Sequence, residues 1–207
     1  MRPIRLALAL IALAPLAACI ETVAEDQLSP VPYVARLDGG HMLAAIPPEK
    51  FPPGWQRAVV RYESKEAAGT IVIDTGKRFL YLVQGDGTAL RYGISVGREG
   101  FAWTGTAEVD RKQHWPKWHP PQEMIARQPQ LARWANGGQP PGPENPLGAR
   151  AIYLADAAGR DTGYRIHGTP EWWTIGSAAS SGCIRMVNQD VIDLFDRVPI
   201  GAKVIVF

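Results

Sequence analysis

Residues 165–190 read RIHGTPEWWTIGSAASSGCIRMVNQD and place a histidine and a cysteine where regular structure is predicted to stop. His167 ends a short apolar segment and is followed by a glycine. Cys183 follows Ser-Ser-Gly, a turn sequence whose consecutive backbone N–H groups can converge on an anion. A thiol nucleophile needs a base that takes its proton and donors directed at the developing oxyanion. The stretch therefore predicts a site for thiol chemistry.

The same stretch resembles the signature of the L,D-transpeptidase catalytic domain family (YkuD-type, ErfK/YbiS-like). The family pattern is His-Gly-Thr followed by Ser-x-Gly-Cys-Ile-Arg-Met-x-Asn-x-Asp, which residues 167–169 and 180–190 match. The resemblance extends over residues 69–207 and includes GREGF at 97–101 and the NPLG turn at 145–148. It implies a mainly β fold, sandwich-like or barrel-like, with one or two helices and a long capping insertion.

The resemblance also implies roles for individual residues. Cys183 would be the nucleophile and His167 its base, and the backbone carbonyl of Gly168 would hold the imidazole in the productive tautomer. The backbone amides of Ser181, Gly182 and Cys183 would donate to the oxyanion. Family members that carry a second histidine have it at position 181, where this sequence has serine.

Arg185 lies two residues beyond the cysteine. A guanidinium there can lower the pKa of the thiol and can bind a substrate carboxylate in a bidentate manner. The alternative is a structural role, in which Arg185 braces the loop against Asp190 or a backbone carbonyl.

Hydrophobic patterning over the rest of the chain independently predicts a mainly β protein with one good helix. Asn188 is a plausible N-cap for a helix over 189–197. Short β-branched and aromatic segments separated by turn residues predict strands. These segments are residues 71–74, 79–83, 89–96, 104–109, 149–154, 164–167 and 203–207.

Residues 111–148 differ from their surroundings because they combine three tryptophans with eight prolines. Only 122–135 can be helical, and Pro129 interrupts it. A long irregular insertion is typical of a lid or binding loop, which predicts a cap over a cleft; a surface excursion packed on the body is the alternative. His114, His119 and Glu123 lack the spacing of a zinc site, so neither a metal nor a cofactor is predicted.

The N-terminal third predicts export and anchoring. Residues 1–18 have the basic start, apolar run and small-residue end of a signal peptide, and the run is too short to span a bilayer. Residues 16–19, LAAC, resemble the lipobox of bacterial lipoproteins, which predicts lipidation of Cys19; ordinary secretory cleavage near Ala18 is the alternative. Residues 19–68 are rich in proline and predict a lipid-anchored tether before a catalytic domain over 69–207. Because Ile20 is not aspartate, the outer membrane is slightly favoured over the inner.

The chain holds two cysteines among its 207 residues. If Cys19 carries lipid, Cys183 has no disulfide partner in an oxidising compartment, and an unpaired thiol there points to a reactive one. A Cys19–Cys183 disulfide, or an inert buried Cys183, are the alternatives that composition leaves open.

Composition argues against a nucleic-acid partner. The chain is 46% hydrophobic and 20% charged, a globular balance, with a net charge of +2. Removal of the signal peptide with Arg2 and Arg5 leaves 20 basic and 20 acidic residues. No basic excess remains to neutralise phosphates.

The predicted function is therefore a periplasmic, membrane-anchored L,D-transpeptidase that acts on peptidoglycan stem peptides through a cysteine thioester. It would form cross-links or attach another amine acceptor. A hydrolase of the same fold, which cleaves a cross-link or a peptidoglycan–protein link, is one alternative. A non-catalytic peptidoglycan-binding lipoprotein is another. Sortases and papain-like proteases fit poorly because their histidine and cysteine are spaced or ordered differently.

Overall fold

The computed structural model describes residues 33–97, 103–180 and 182–207, and a mixed β-sheet of nine strands dominates it. In chain order the strands are β1 (Arg36–Asp38), β2 (His41–Leu43), β3 (Ala58–Arg61), β4 (Ile71–Asp74), β5 (Phe79–Val83), β6 (Thr88–Gly93), β7 (Val96–Gly97), β8 (Gly105–His114), β9 (Arg150–Ala155), β10 (Asp161–Thr169), β11 (Ala178–Ser180), β12 (Ile184–Val187) and β13 (Lys203–Val206). The large sheet has the order β12-β10-β9-β8-β13-β4-β5-β6-β3, while β1 pairs with β2 and β7 with β11. The prediction of a mainly β fold is confirmed.

Two α-helices accompany the sheet, α1 (Gln122–Arg127) and α2 (Asn188–Arg197). Helix α2 packs on the strands β9, β10 and β12. Its fully buried Val191 and Leu194 join a core that includes Ile152, Ile166 and Met186 from those strands. Each aliphatic side chain removed from water stabilises the fold by about 1.5–3 kcal/mol. Because side chains alternate along a strand, the opposite face of β10 and β12 carries Arg165, His167 and Arg185, together with Val187, which is buried in a second apolar cluster.

The side chain of Asn188 does not cap α2, contrary to the prediction. The helix begins at Asn188 with Val187 in the N-cap position and no side-chain cap. The Asn188 Oδ1 instead accepts a 2.8 Å hydrogen bond from the Ala149 N–H, and its Nδ2 donates to the Thr169 carbonyl at 3.1 Å. The buried amide thereby joins the start of β9 to the end of β10, and both its oxygen and its nitrogen are hydrogen-bonded there.

The prediction of an extended tether over residues 19–68 does not hold for residues 33–68. This segment contributes the β1–β2 hairpin, two 3₁₀ turns (Pro48–Lys50 and Pro53–Trp55) and the edge strand β3. The prolines exclude helix, but the apolar residues between them, Ile46 and Phe51 among them, are buried with Tyr33. The predicted signal peptide and the lipidation site Cys19 lie outside the described residues.

A buried ion pair fastens the hairpin to the sheet. Arg150 donates to both carboxylate oxygens of Asp38, at 2.7 and 2.9 Å, and the indole Nε1 of Trp115 donates to Asp38 at 2.7 Å. The side chains of Arg150 and Asp38 are only 6% and 9% exposed. The charge pair thus lies in the interior and ties β1 to β9.

The insertion over 111–148 begins inside β8, since that strand continues to His114. Pro129 divides the predicted helix over 122–135 into α1 and a 3₁₀ segment, Pro129–Trp134. The buried Asn145 closes the loop because its Nδ2 donates to three carbonyls, those of Pro116, Gln139 and Pro140. Within the described parts of the chain, no helix is long and apolar enough to cross a membrane.

Candidate active site

Parallel pairing of β10 with β12 brings the histidine and cysteine segments together. Ile166 lies opposite Ile184 and His167 opposite Arg185. The same register continued back by one residue places Cys183 opposite Arg165. Because Ile166 and Ile184 point into the core, His167 and Arg185 occupy the face away from α2. Strand pairing thus brings the segments of His167 and Cys183 together, although these residues are sixteen positions apart in the sequence.

The His167 ring has one defined tautomer. It is buried, with 4% of the residue exposed, and its Nδ1 lies 2.6 Å from the carbonyl oxygen of Gly168. A carbonyl oxygen only accepts, so Nδ1 carries the proton and Nε2 keeps its lone pair. Burial lowers the pKa of His167 to about 4, and the charges of Arg185 and Arg165 act in the same direction. The imidazole is therefore neutral at physiological pH and able to accept a proton.

Close packing holds the Gly168 carbonyl in place. A Cβ at position 168 would lie 2.2 Å from the Asn188 Oδ1, and one at Gly148 would lie 2.7 Å from the Gly168 carbonyl carbon. Gly148 has φ +60°, in the left-handed region that favours glycine. The motif glycine and asparagine thus serve the same end, the fixed position of the carbonyl that orients His167. At Gly148 the insertion also reaches the site.

Cys183 is a free thiol that remains partly exposed. Burial raises the pKa of the thiol, while a hydrogen bond from the Arg165 backbone N–H and the charges of Arg165 and Arg185 lower it. Burial outweighs the lowering effect of the two guanidinium charges, so the pKa of the Cys183 thiol is raised overall. Burial thus disfavours both the charged thiolate of Cys183 and the charged imidazolium of His167.

The loop before the thiol is closed by Ser180. Its Oγ donates to the Cys183 carbonyl at 2.5 Å and accepts a 3.1 Å hydrogen bond from the Gly182 N–H. The Gly182 amide, predicted as an oxyanion donor, is therefore engaged in this structure. Gly182 has φ +119°, which a side chain would disfavour. Ser181, the other predicted donor in this turn, lies outside the described residues.

Arg185 forms an ion pair with Glu171, a partner that the sequence does not predict. Its Nη1 donates to the Glu171 Oε2 at 3.1 Å, and the two side chains are 18% and 50% exposed. Asp190, the alternative partner, is fully buried elsewhere and accepts from the Tyr33 hydroxyl at 3.1 Å. The Arg185 guanidinium is thus mostly buried, while its carboxylate partner Glu171 is half exposed to solvent.

A further residue near the thiol, Arg165, and its partner Asp161 were not predicted from the sequence. Arg165 donates to both carboxylate oxygens of Asp161, at 2.7 and 2.8 Å. The signal that was available is parity, because residues two apart on a strand share a face and Arg165 precedes His167 by two. No metal site is predicted at His114. Its ring packs edge-on against Phe195, with 4.6 Å between the ring centroids. Across the described ranges no three His, Cys, Asp or Glu residues converge as a metal site would require.

The histidine, with a proton-accepting Nε2, thus lies on the strand adjacent to the segment that carries a free thiol, and histidine and cysteine are the residue types that thiol-dependent acyl-transfer enzymes pair. Comparison with known families agrees in more detail. Residues 68–206 match the YkuD family, the L,D-transpeptidase catalytic domain, and the chain belongs to this family. The resemblance inferred from residues 165–190 is thereby confirmed.

Individual relatives give the extent of the likeness. YbiS of Escherichia coli K12, named a probable L,D-transpeptidase, is 32% identical over 140 residues, which are 66% of this chain and 43% of YbiS. A putative L,D-transpeptidase of Fuscovulum blasticum is 36% identical over 136 residues, 65% of this chain and 67% of that protein. This chain thus spans less than half the length of YbiS.

A solved structure from Brucella melitensis, named a probable carnitine operon oxidoreductase caia, is 48% identical to this chain. It superposes with a TM-score of 0.52 and covers 77% of this chain and 98% of that one. The likeness therefore includes residues outside the 68–206 match.

Proposed function

We propose that this protein is a cell-envelope L,D-transpeptidase that joins peptidoglycan stem peptides through a thioester on Cys183. Support comes foremost from the bond between the His167 Nδ1 and the Gly168 carbonyl, which leaves Nε2 as the base on the strand next to the thiol. Family membership supports the substrate class.

In the first half-reaction the Cys183 sulfur attacks the carbonyl between an L-centre diamino acid and a terminal D-alanine. The thiol proton passes to Nε2 of His167, and the carbonyl oxygen becomes an oxyanion held by backbone amides of residues 181–183, for which the Gly182 N–H exchanges its bond to the Ser180 Oγ for one to the oxyanion. Collapse breaks the carbon–nitrogen bond, and His167 returns the proton to the departing amine of D-alanine. A thioester and free D-alanine result.

In the second half-reaction the amine of a neighbouring stem peptide attacks the thioester, and His167 takes a proton from it. The carbon–sulfur bond breaks, the sulfur leaves and regains a proton from His167, and a new amide forms. Another amine acceptor, such as a free D-amino acid or a protein lysine, fits the same steps. Arg185 is the candidate ligand for a substrate carboxylate, in competition with Glu171.

The experiment is incubation of the full-length protein in detergent with tetrapeptide muropeptides, followed by mass spectrometry. We expect cross-linked dimers and released D-alanine from the native protein and neither from Cys183→Ala. Dimers that persist in Cys183→Ala would overturn the thioester route. Loss of added dimers to water would indicate the hydrolase alternative, and tight binding without product or acyl-enzyme would indicate the non-catalytic one.

We also propose periplasmic location with a lipid on Cys19, slightly favouring the outer membrane. The sequence LAAC at residues 16–19 and the signal-like residues 1–18 support this part. Membrane fractionation and intact mass of the native protein and of Cys19→Ser test it. Equal partition into membranes and unmodified mass for both would contradict it.

A further inference from the structure

Two β-bulges lie side by side in the sheet and end opposite the same residue. In β10, Asp161 pairs with Ala155 and Arg165 with Tyr153, so β10 has two more residues than β9 between these pairs. In β8, Val109 pairs with Leu154 and Arg111 with Tyr153, so β8 has one more residue than β9 there. Both bulges end opposite Tyr153. Extra residues in a strand bend it and redirect the side chains that follow. Without the β10 bulge, residues four apart on an extended strand would lie too far apart to pair.

The bulges build a stack across three strands. The guanidinium carbon of Arg165 lies 4.6 Å from the centroid of the Tyr153 ring, and that of Arg111 lies 3.5 Å from the same centroid. Asp161 holds the edge of Arg165 through two hydrogen bonds, and the Arg165 side chain is 19% exposed. Arg165 is thus fixed in position by both a ring and a carboxylate.

The backbone of this arginine lies opposite the residue that carries the thiol. The backbone N–H of Arg165 donates to Cys183, and the strand register places these two residues opposite each other, as it does His167 and Arg185. Each of the two candidate catalytic residues therefore has an arginine opposite it on the neighbouring strand. Arg185 lies opposite His167, and Arg165 lies opposite Cys183 when the register is continued back by one residue.

We propose that Arg165 is a second positioning cation, beside Arg185, that stabilises the Cys183 thiolate as it forms, and that Asp161 limits the strength of this stabilisation. The inference rests on the proposed role of Cys183 as nucleophile. The charged or titratable groups of this network, taken over all the elements that contribute to it, are Asp161, Arg165 and His167 on β10, Arg185 on β12, Glu171 in the loop after β10, Tyr153 on β9 and Arg111 on β8.

The charges near Cys183 determine the direction in which each substitution shifts the pKa of the thiol. The positive charges of Arg165 and Arg185 both lower the pKa of Cys183 against the raising effect of burial. A carboxylate next to Arg165 offsets part of that positive charge. Removing the arginine and removing the carboxylate must therefore shift ionisation of the thiol in opposite directions, which loss of a merely structural ion pair would not do.

The test is the rate of Cys183 alkylation by iodoacetamide as a function of pH, followed by peptide mapping of the full-length protein. We expect the midpoint for Arg165→Gln to rise by about one pH unit, since opposite charges at short range shift a pKa by 1–3 units. At pH 7 this corresponds to about tenfold slower alkylation. Arg165→Lys should restore most of the rate, and Asp161→Asn should move the midpoint downward.

Arg160 and Asp156 provide a matched control pair. They form the same Arg–Asp ion pair four residues apart, at 2.7 Å, in the turn before β10, with the arginine 80% exposed. Arg160→Gln should leave the alkylation profile unchanged. An unchanged profile in folded Arg165→Gln, a shift of equal size in Arg160→Gln, or shifts of the same sign in Arg165→Gln and Asp161→Asn would each overturn the inference.

Failure of this inference is distinguishable from failure of the proposed function. Alkylation measures ionisation of the thiol, whether or not the protein forms cross-links. If Cys183→Ala abolishes cross-linking while Arg165→Gln leaves the profile in place, only the role of Arg165 is refuted. If Cys183→Ala retains cross-linking, the proposed function is refuted whatever the profile does.

Discussion

His167 and Gly168 are consecutive residues whose side chain and main chain hydrogen-bond to each other, Nδ1 to carbonyl oxygen, at 2.6 Å. The bond replaces the carboxylate that orients histidine in many acyl-transfer sites. Since the acceptor is a backbone atom, no substitution at position 168 removes it directly. The orientation of the imidazole depends on whatever holds that peptide unit in place.

Gly168→Ala should displace this peptide unit. A Cβ there would lie 2.2 Å from the Asn188 Oδ1, so either the asparagine or the strand must move. Overpacking of this kind costs about 1–3 kcal/mol of the free energy of unfolding. We expect cross-linking activity to fall more than stability, as measured by product formation and urea unfolding. Gly137→Ala is the control, because its Cβ would meet nothing within 4 Å; equal effects of the two would contradict this account.

Asn188→Ala should destabilise the same region from the other side. It leaves the buried Ala149 N–H and Thr169 carbonyl without partners, and each unsatisfied group costs about 1–3 kcal/mol. Urea unfolding should show this loss, and activity should fall with it. The exposed Asn136→Ala serves as the control. A change below about 0.5 kcal/mol in Asn188→Ala would mean that the amide does not join the two strands in solution.

Asp38→Ala should show that residues 33–68 belong to the folded unit. It leaves the buried Arg150 guanidinium unpaired and removes the acceptor of the Trp115 indole, a loss of about 3–5 kcal/mol for a buried ion pair broken on one side. Asp156→Ala, which breaks the exposed pair with Arg160, should cost at most about 1 kcal/mol. The thermal unfolding midpoints of Asp38→Ala and Asp156→Ala are compared. Similar midpoints would show that the β1–β2 hairpin does not stabilise the folded unit.

The neutral His167 has a consequence for stability in acid. Its pKa is lowered by burial to about 4, against 6.5 for the exposed group, so the unfolded chain binds the proton more readily. The contribution of the neutral, buried His167 to the free energy of unfolding is therefore full above pH 6.5 and is lost as the pH falls to about 4. We expect His167→Gln to lose less stability than the native protein over that window in urea titrations. Parallel losses would place a solvated imidazole at this position.

Asp190 should have the opposite dependence. Burial raises its pKa to about 7, in spite of the Arg57 charge and the Tyr33 hydroxyl bond, which lower it. A raised pKa means that the contribution to stability is full below the unfolded value near 3.8 and is lost as the pH rises through about 7. Asp190→Asn should remove this decline between pH 4 and 8. A decline that persists in the variant would assign it to another group.

The histidine, the cysteine and the mainly β fold could be predicted because local features carry them. A glycine after His167, a Ser-Ser-Gly turn before Cys183 and β-branched runs between turns depend on residues adjacent in the chain. Pro129 likewise divides its helix at the predicted place, since proline lacks the N–H that a helix needs. Predictions failed where a polar side chain had two possible partners. Asn188 was a reasonable N-cap, yet it bonds across β9 and β10.

What the sequence alone determined was the family and the alternation of core and polar positions along the strands, and it named His167 and Cys183 as the candidate base and nucleophile. Only the tertiary structure decided that the proline-rich residues after position 32 fold onto the sheet, that Arg185 pairs with Glu171, and that a bulge in β10 lets Arg165 pair with Asp161. The physical reason is that strand register and bulges set which distant residues meet. Burial, which raises the pKa of Cys183 and lowers that of His167, likewise arises from the packing of the whole chain.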